Sequence, residues 1–353
     1  MTKIFRTAIR WLRSDNPKSK SGPADQNLKS VGLVTLIIAF VICGVAVEAQ
    51  QPSKVPRIGY LIAPALSANA TRIEALRQGL RELGYIEGKN IVIEWRSAEG
   101  KLEHLPSLAV ELVRLKVDII VSAGPTATRL AKEATITIPI VMTQDSDPVG
   151  NGFVASLARP GGNITGLSVL APEISGKQLE LLKEIVPRLS RVAVIGESTN
   201  PGNTQQLREV ELAARAFKVQ LQNLDVRDPR DFEPVFRAAS KGRADAALVL
   251  GGPVLNSQRT RIVGLAVNNR LPAIYNERGF VEAGGLMTYS VNFNDLHHRA
   301  ATYVDKILKG RKPADIPVEQ PMKFEFIINL KAAKQIGLTI PPNVLVRADK
   351  VIK

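Results

Sequence analysis

The chain has 353 residues, of which 45% are hydrophobic and only 5% aromatic, so it can build two domains with mainly aliphatic cores. Its formal charge is +14, but beyond residue 49 basic and acidic residues are interspersed, as in Arg72, Glu74, Arg77, Arg81 and Glu82. No basic run with interleaved aromatics marks a nucleic-acid surface. The single cysteine, Cys43, excludes an internal disulfide and a cysteine metal site.

Residues 1–30 are polar and basic and read as disordered. The apolar run Val31–Val47 is short for a spanning helix but suits the core of a signal peptide. Val47-Glu48-Ala49 places acceptable residues where a signal peptidase reads, so cleavage is expected after Ala49. An uncleaved anchor is the alternative. Lipidation of Cys43 is disfavoured by Ile42, where a small residue is normally required.

From Arg57 the pattern is alternating β and α. Strands are expected at 58–63, 90–95, 118–121 and 138–143, with helices at Ala70–Leu83 and Leu105–Leu115. The stretch Val117–Thr128 (VDIIVSAGPTAT) organises this half. An apolar strand ends in Ser122-Ala123-Gly124-Pro125, and Thr126 opens a helix. Free backbone N–H groups, a threonine hydroxyl and the positive end of a helix dipole meet there, so Ser122, Gly124 and Thr126 are candidate ligand contacts. The plainer alternative is an ordinary strand-to-helix turn. A short helix near Gly152–Leu157 and a strand ending at Leu170 complete a five-stranded lobe.

A second lobe repeats the plan. A helix at Ile174–Val186 leads to strands at 191–196, 219–226, 245–250, 272–276 and 284–290. Asn200-Pro201 reads as the cap and first position of a helix running to about Phe217. Further helices are expected at Asp231–Lys241, Asn256–Asn269 and Leu296–Leu308. The extended, proline-rich segment Gly310–Pro321 reads as a crossing between lobes, followed by a strand at 323–329, a helix at Leu330–Ile336 and a tail. The expected boundaries are 54–169 plus 285–316 for lobe 1 and 170–284 plus 317–353 for lobe 2, after a 1–49 leader. Open α/β sheets bind ligands beyond the carboxyl ends of their strands, so two facing lobes imply a hinged cleft.

Chemistry-bearing residues are sparse. There is no GxGxxG after the first strand, no GxxxxGK[ST], no HExxH and no GxSxG. His104, His297 and His298 lack metal-ligand spacing and read as surface residues. No acid, base and nucleophile set presents itself, so no enzyme, cofactor or metal is expected. Asp145 and Asp147 follow a strand where a cleft loop belongs; either the paired carboxylates fix an ammonium group or a sugar hydroxyl, or Asp147 caps the turn before Pro148. Glu197 either holds a cation or is solvated. Tyr275 and Tyr289 end strands and either stack on a ligand or sit at a boundary.

Several longer motifs carry a resemblance: RIGYL (57–61), ALRQGLRELGYIEGKN (75–90), DPVGNGFVASLARPGGNITGLS (147–168), GKQLELLKEIVP (176–187), FVEAGGLMTYS (280–290), HRAATYVDKILKG (298–310), PADIPVEQP (313–321) and FEFIINLKAAKQIGLTIPPNVLVRADKVI (324–352). Over residues 55–353 the chain resembles bacterial ABC-transporter substrate-binding proteins of the tryptophan/tyrosine type. The resemblance implies an α/β fold of two Rossmann-like lobes, of the type I periplasmic-binding-protein kind. It also implies an exported, monomeric, non-enzymatic receptor for a small amino-acid-like, polar or aromatic ligand. Such a receptor delivers its ligand to an ABC permease whose ATPase lies on the far side of the membrane. A membrane-anchored sensory module of the same fold is the alternative. The cleft loops implied are Pro64–Ser67, Ser122–Thr126, Gln144–Asp147, Glu197–Asn200, Gly251–Pro253, Tyr275–Asn276 and Tyr289–Ser290, which add Pro64, Ser67, Asn200 and Gly251 to the candidate contacts. Where family members often carry an aromatic residue and an Asn, this chain has Gly196-Glu197; where a polar or acidic residue is frequent, it has Gly251-Gly252.

Overall fold

The computed structural model describes residues 54–353, so the leader, the Val31–Val47 run and the cleavage position after Ala49 lie outside the described residues. The first lobe is a five-stranded parallel sheet: β1 (Arg57–Ile62), β2 (Val92–Ser97), β3 (Ile119–Ala123), β4 (Ile140–Asp145) and β5 (Ile164–Ser168), in the order β2-β1-β3-β4-β5. Every residue of β3 and β5 is buried, as expected for aliphatic strands covered by helices on both faces. Those helices include α1 (Ala70–Glu82), α2 (Leu105–Arg114) and α3 (Pro125–Ala134). The apolar stripe Ile73, Leu76, Leu80 directs α1 inward.

The second lobe begins with α4 (Ala171–Ile185), then β6 (Arg191–Gly196), α5 (Asn203–Phe217), β7 (Gln220–Asp225), α6 (Phe232–Lys241), β8 (Ala246–Val249), α7 (Pro253–Ser257), α8 (Arg259–Asn268), β9 (Ala273–Tyr275), α9 (Arg278–Glu282) and β10 (Met287–Val291). The chain then returns to lobe 1 as α10 (Phe293–Leu308). It comes back to the second sheet through β11 (Phe324–Asn329), α11 (Leu330–Gln335), α12 (Pro342–Leu345) and β12 (Lys350–Ile352). The seven strands lie in the order β12-β11-β10-β9-β8-β6-β7, parallel except for the antiparallel β10–β11 pair.

Three crossings join the lobes: after β5, between β10 and α10, and before β11. Because β10 hydrogen-bonds into the second sheet, the middle crossing follows Val291 rather than preceding residue 285. The third leaves lobe 1 late, since Glu319 still bridges to Leu167 and the Ile316 carbonyl accepts from Thr165 at 2.6 Å. Leu296, Ala300, Ala301, Tyr303 and Val304 of α10 share a core with β1, β3 and α1. Gly79 permits this contact, because a Cβ there would collide with the His298 carbonyl of α10.

Several local readings change. Residues 152–157 form turns, not a helix, because the Phe153 and Val154 N–H groups both fold back onto the Pro148 carbonyl. Helix α5 starts at Asn203 with Gly202 as its cap; Asn200 does not cap it, since its Oδ1 accepts from no backbone N–H and its Nδ2 donates to the Gly251 carbonyl. The helix expected over Asn256–Asn269 breaks at Gln258 into α7 and α8. The C-terminal tail ends in β12. His297 is fully buried, its Nδ1 2.8 Å from the Phe293 carbonyl oxygen, so the surface reading fails for it. His298 pairs with Glu82 at 2.8 Å, and His104 is exposed.

Candidate functional site

A hollow lies between the lobes, where carboxyl-end loops of both sheets face each other. It encloses about 1020 Å³ of atom-free space, mouth included. Lobe 1 contributes Pro64, Asn69, Arg72, Gly124–Ala127, Gln144 and Ser146; lobe 2 contributes Asn200, Gly251–Pro253, Asn256, Arg259, Asn276 and Glu277. Phe293, just after the middle crossing, closes one end.

The lobe 1 wall is built for donation. Gly124 caps α3 with φ +97°, a conformation glycine takes without Cβ strain. That turn points the first N–H groups of a ten-residue helix, and Thr126, at the hollow. Arg72, in the first turn of α1, adds a guanidinium that stacks over Phe293 at 4.4 Å.

The lobe 2 wall is built for acceptance. Asn200 is 5% exposed, and its Nδ2 donates to the Gly251 carbonyl at 2.7 Å and to Asn203 Oδ1 at 3.3 Å. Behind it Gln206 donates to Asn203, and Asn203 donates to the Glu197 carbonyl. This chain of amides leaves Asn200 Oδ1 without a partner, and Asn256 Oδ1 and Asn276 Oδ1 are also unpaired. Three buried carboxamide oxygens therefore border one cavity with no donor from the protein itself, so they are free to accept from a ligand or from water.

Among the described residues, three charged side chains line the hollow: Arg72, Arg259 and Glu277. Among the described residues no group of three His, Cys, Asp or Glu side chains converges to hold a metal ion.

Of the contacts expected from sequence, Pro64, Gly124, Thr126, Asn200 and Gly251 meet at the cavity. The others lie outside its lining. Ser67 is exposed on a 3-10 turn (Ser67–Asn69) at the lobe 1 rim. Ser122 is buried behind α3 and shares a 2.9 Å hydrogen bond with Thr128. Asp147 accepts from the Gly150 N–H at 2.9 Å and so holds its own turn; it lines a separate hollow with Gln205 and Arg208. Tyr275 is 1% exposed and stacks on Phe280 at 4.8 Å. Tyr289 stacks on Phe324 at 5.9 Å.

Two carboxyls stand behind the walls. Glu197 Oε1 accepts from the Leu255 N–H at 2.7 Å, and Gly252 leaves it room, since a Cβ there would overlap the carboxylate. Burial pushes Glu197 up to about 8. Asp145 ends β4 instead of starting a loop; it accepts from the Asp147 N–H and the Asn151 amide, and burial pushes it up to about 7.

The cavity also uses Arg72, Arg259, Asn256, Glu277 and Phe293, which sequence reading did not select. Arg72 looks like one more charge on an amphipathic helix. Its signal is its place in the first turn of the helix after β1, which faces the carboxyl end of the sheet.

Comparison with known proteins agrees with this architecture. Residues 63–352 match the family model of ABC transporter substrate binding proteins. A tyrosine-binding protein of Clostridioides difficile is 27% identical over 261 residues, covering 74% of this chain and 75% of that protein. The structure of an ABC domain from Streptococcus pneumoniae in complex with L-Trp matches with TM-score 0.79 and 26% identity, covering 84% of this chain and 99% of the other. The ligand-free, open structure of a substrate binding protein with adhesive properties from Clostridium difficile matches with TM-score 0.62 and 25% identity, covering 85% and 99%.

Proposed function

The chain belongs to the family of ABC transporter substrate binding proteins, and from that premise we propose that it captures a small amino-acid-like molecule between its lobes. It hands that molecule, chemically unchanged, to an importer in the membrane. On this reading it works as an exported monomer, with the permease as partner and the ATPase on the far side.

The observation that carries the ligand class is the opposed polarity of the two walls. One wall offers the N-terminus of α3, Thr126 and Arg72; the other offers the unpaired oxygens of Asn200, Asn256 and Asn276. A zwitterion with a carboxylate at one end and an ammonium at the other satisfies both. Carboxamides accept from an ammonium without bringing a buried negative charge. Aromatic amino acids fit the family relatives, which include a tyrosine-binding protein and an L-Trp complex. The apolar wall of Ile62, Val169, Ile174, Val291 and Phe293 gives a side chain something to pack against.

The test is a thermal-shift and calorimetric panel on the full chain with L-tryptophan, L-tyrosine, leucine, tryptamine and indole-3-propionate. A ligand at about 100 times its Kd adds roughly 2.7 kcal/mol to stability, which moves the melting point visibly. The expected result is a shift with an intact amino acid that is lost when either charged end is removed. Asn200→Ala is expected to weaken that binding by about 1–3 kcal/mol while leaving α5 in place. Equal shifts with tryptamine and tryptophan overturn the two-walled reading. A shift confined to sugars in a wider panel overturns the amino-acid class.

A further inference from the structure

The three charged residues that line the cleft also contact one another across the gap. Glu277, in the β9–α9 loop of lobe 2, is 2% exposed. Arg72 Nη2, from α1 of lobe 1, donates a short hydrogen bond to Glu277 Oε2. Arg259, the first residue of α8 in lobe 2, places Nη1 3.6 Å from Glu277 Oε1 and donates from Nη2 to the Ala68 carbonyl of lobe 1 at 3.3 Å. Gly279 makes room for Arg259, since a Cβ at that position would stand 3.0 Å from its Nη1.

From this arrangement we propose that Glu277 is a positioning residue that, through Arg72, favours the closed arrangement of the two lobes before a ligand binds. A buried ion pair is costly to break when one partner is left stranded. Here neither is stranded. On opening, Glu277 keeps Arg259 from its own lobe. Arg72 keeps the Phe293 ring and a 3.4 Å contact from its Nη1 to Gln144 Oε1, both on the lobe 1 side. Each charge thus has a standby partner on its own side of the hinge, which makes the latch reversible. Glu277 also sets the charge of the cleft, because it offsets one of two guanidiniums that otherwise repel across a narrow gap.

The proposal needs no knowledge of the ligand, and its test uses none. Spin labels are placed at Thr71 and Thr260, both exposed and each next to a latch arginine, in full chain carrying Cys43→Ala. The sample is dialysed extensively to strip bound solutes. Labelled protein with the latch intact is expected to give mainly a short distance. Glu277→Gln and Arg72→Gln are each expected to add a long-distance population, lowering the ratio of short to long by about tenfold. Arg72→Lys, which keeps the charge, is expected to restore most of the short population, an effect that loss of packing does not produce. Only the long distance in the intact protein, or a distribution in both Gln variants unchanged from that of the intact protein, overturns the proposal. If Glu277→Gln fails to fold, Arg72→Gln at a 14% exposed side chain carries the same test.

Discussion

Asp145 and Glu197 look like ligand groups in the sequence, but their burial makes them proton holders instead. Asp145 has one oxygen engaged by Asp147 N–H and Asn151 and the other without a partner, so its neutral form is favoured. A carboxyl raised to about 7 in the fold and near 4 when unfolded binds a proton in the folded state alone over that interval. Its stabilising contribution is complete below pH 4 and is lost as pH rises toward 7, by up to about 1.4 kcal/mol per pH unit. His297 runs the other way: burial, with Arg72 nearby, lowers it to about 3, so stability falls as pH drops below about 6.5. Asp145→Asn keeps the shape and removes the proton. Denaturant titrations between pH 4.5 and 7 are expected to show the variant losing less stability with rising pH than the parent, while Glu197 still contributes up to pH 8. Parallel pH curves for parent and variant would refute the assignment.

At the scale of elements, one side chain of α4 reaches both β9 and β10. Gln178 of α4 donates from Nε2 to the Tyr275 and Tyr289 carbonyls at 3.2 and 2.9 Å. The Tyr275 ring points away from the cleft into the layer formed by α6, α8 and α9, stacked on Phe280. Tyr275→Ala is therefore expected to act on folding. Unfolding curves are expected to lose about 3–5 kcal/mol, as for other buried aromatics cut to alanine. A ligand affinity that falls with no loss of stability would instead return Tyr275 to the cleft. The split of the expected helix into α7 and α8 matters for the same reason. It sets Asn256 and Arg259 on separate short helices, each of which reaches the cavity.

On the scale of the whole molecule, two of the contacts between the lobes differ in kind. One is the charged cluster of Arg72, Glu277 and Arg259. The other is steric: a Cβ at Gly202 of lobe 2 would overlap Ser146 Oγ of lobe 1. Gly202 has φ −73° and ψ −11°, so alanine suits its backbone and any effect must come from Ser146. Gly202→Ala is expected to wedge the lobes apart, lowering ligand affinity at least tenfold with little change in melting temperature, as calorimetry with the best ligand of the panel would read. Unchanged affinity would mean that the contact is not made in the ligand-bound state.

The sequence by itself determined the layered α/β architecture and the ends of strands from which a site is built. Aliphatic runs such as Ile119–Val121 bury wherever they fold, and Gly124-Pro125 opens a helix from local backbone preference alone. Pro64, Gly124, Thr126, Asn200 and Gly251 were legible as cavity residues because each belongs to a carboxyl-end loop. Arg72, Glu277 and Arg259 were not, because their partners lie across the gap between lobes, about 205 positions apart in the case of Arg72 and Glu277. Asp147, Glu197 and Tyr275 sit in or next to the right loops, yet turn away from the cavity, each held by a partner: Gly150 N–H, Leu255 N–H and the Phe280 ring. Which way a side chain leaves a loop depends on what packs behind it, and only the tertiary structure decides that.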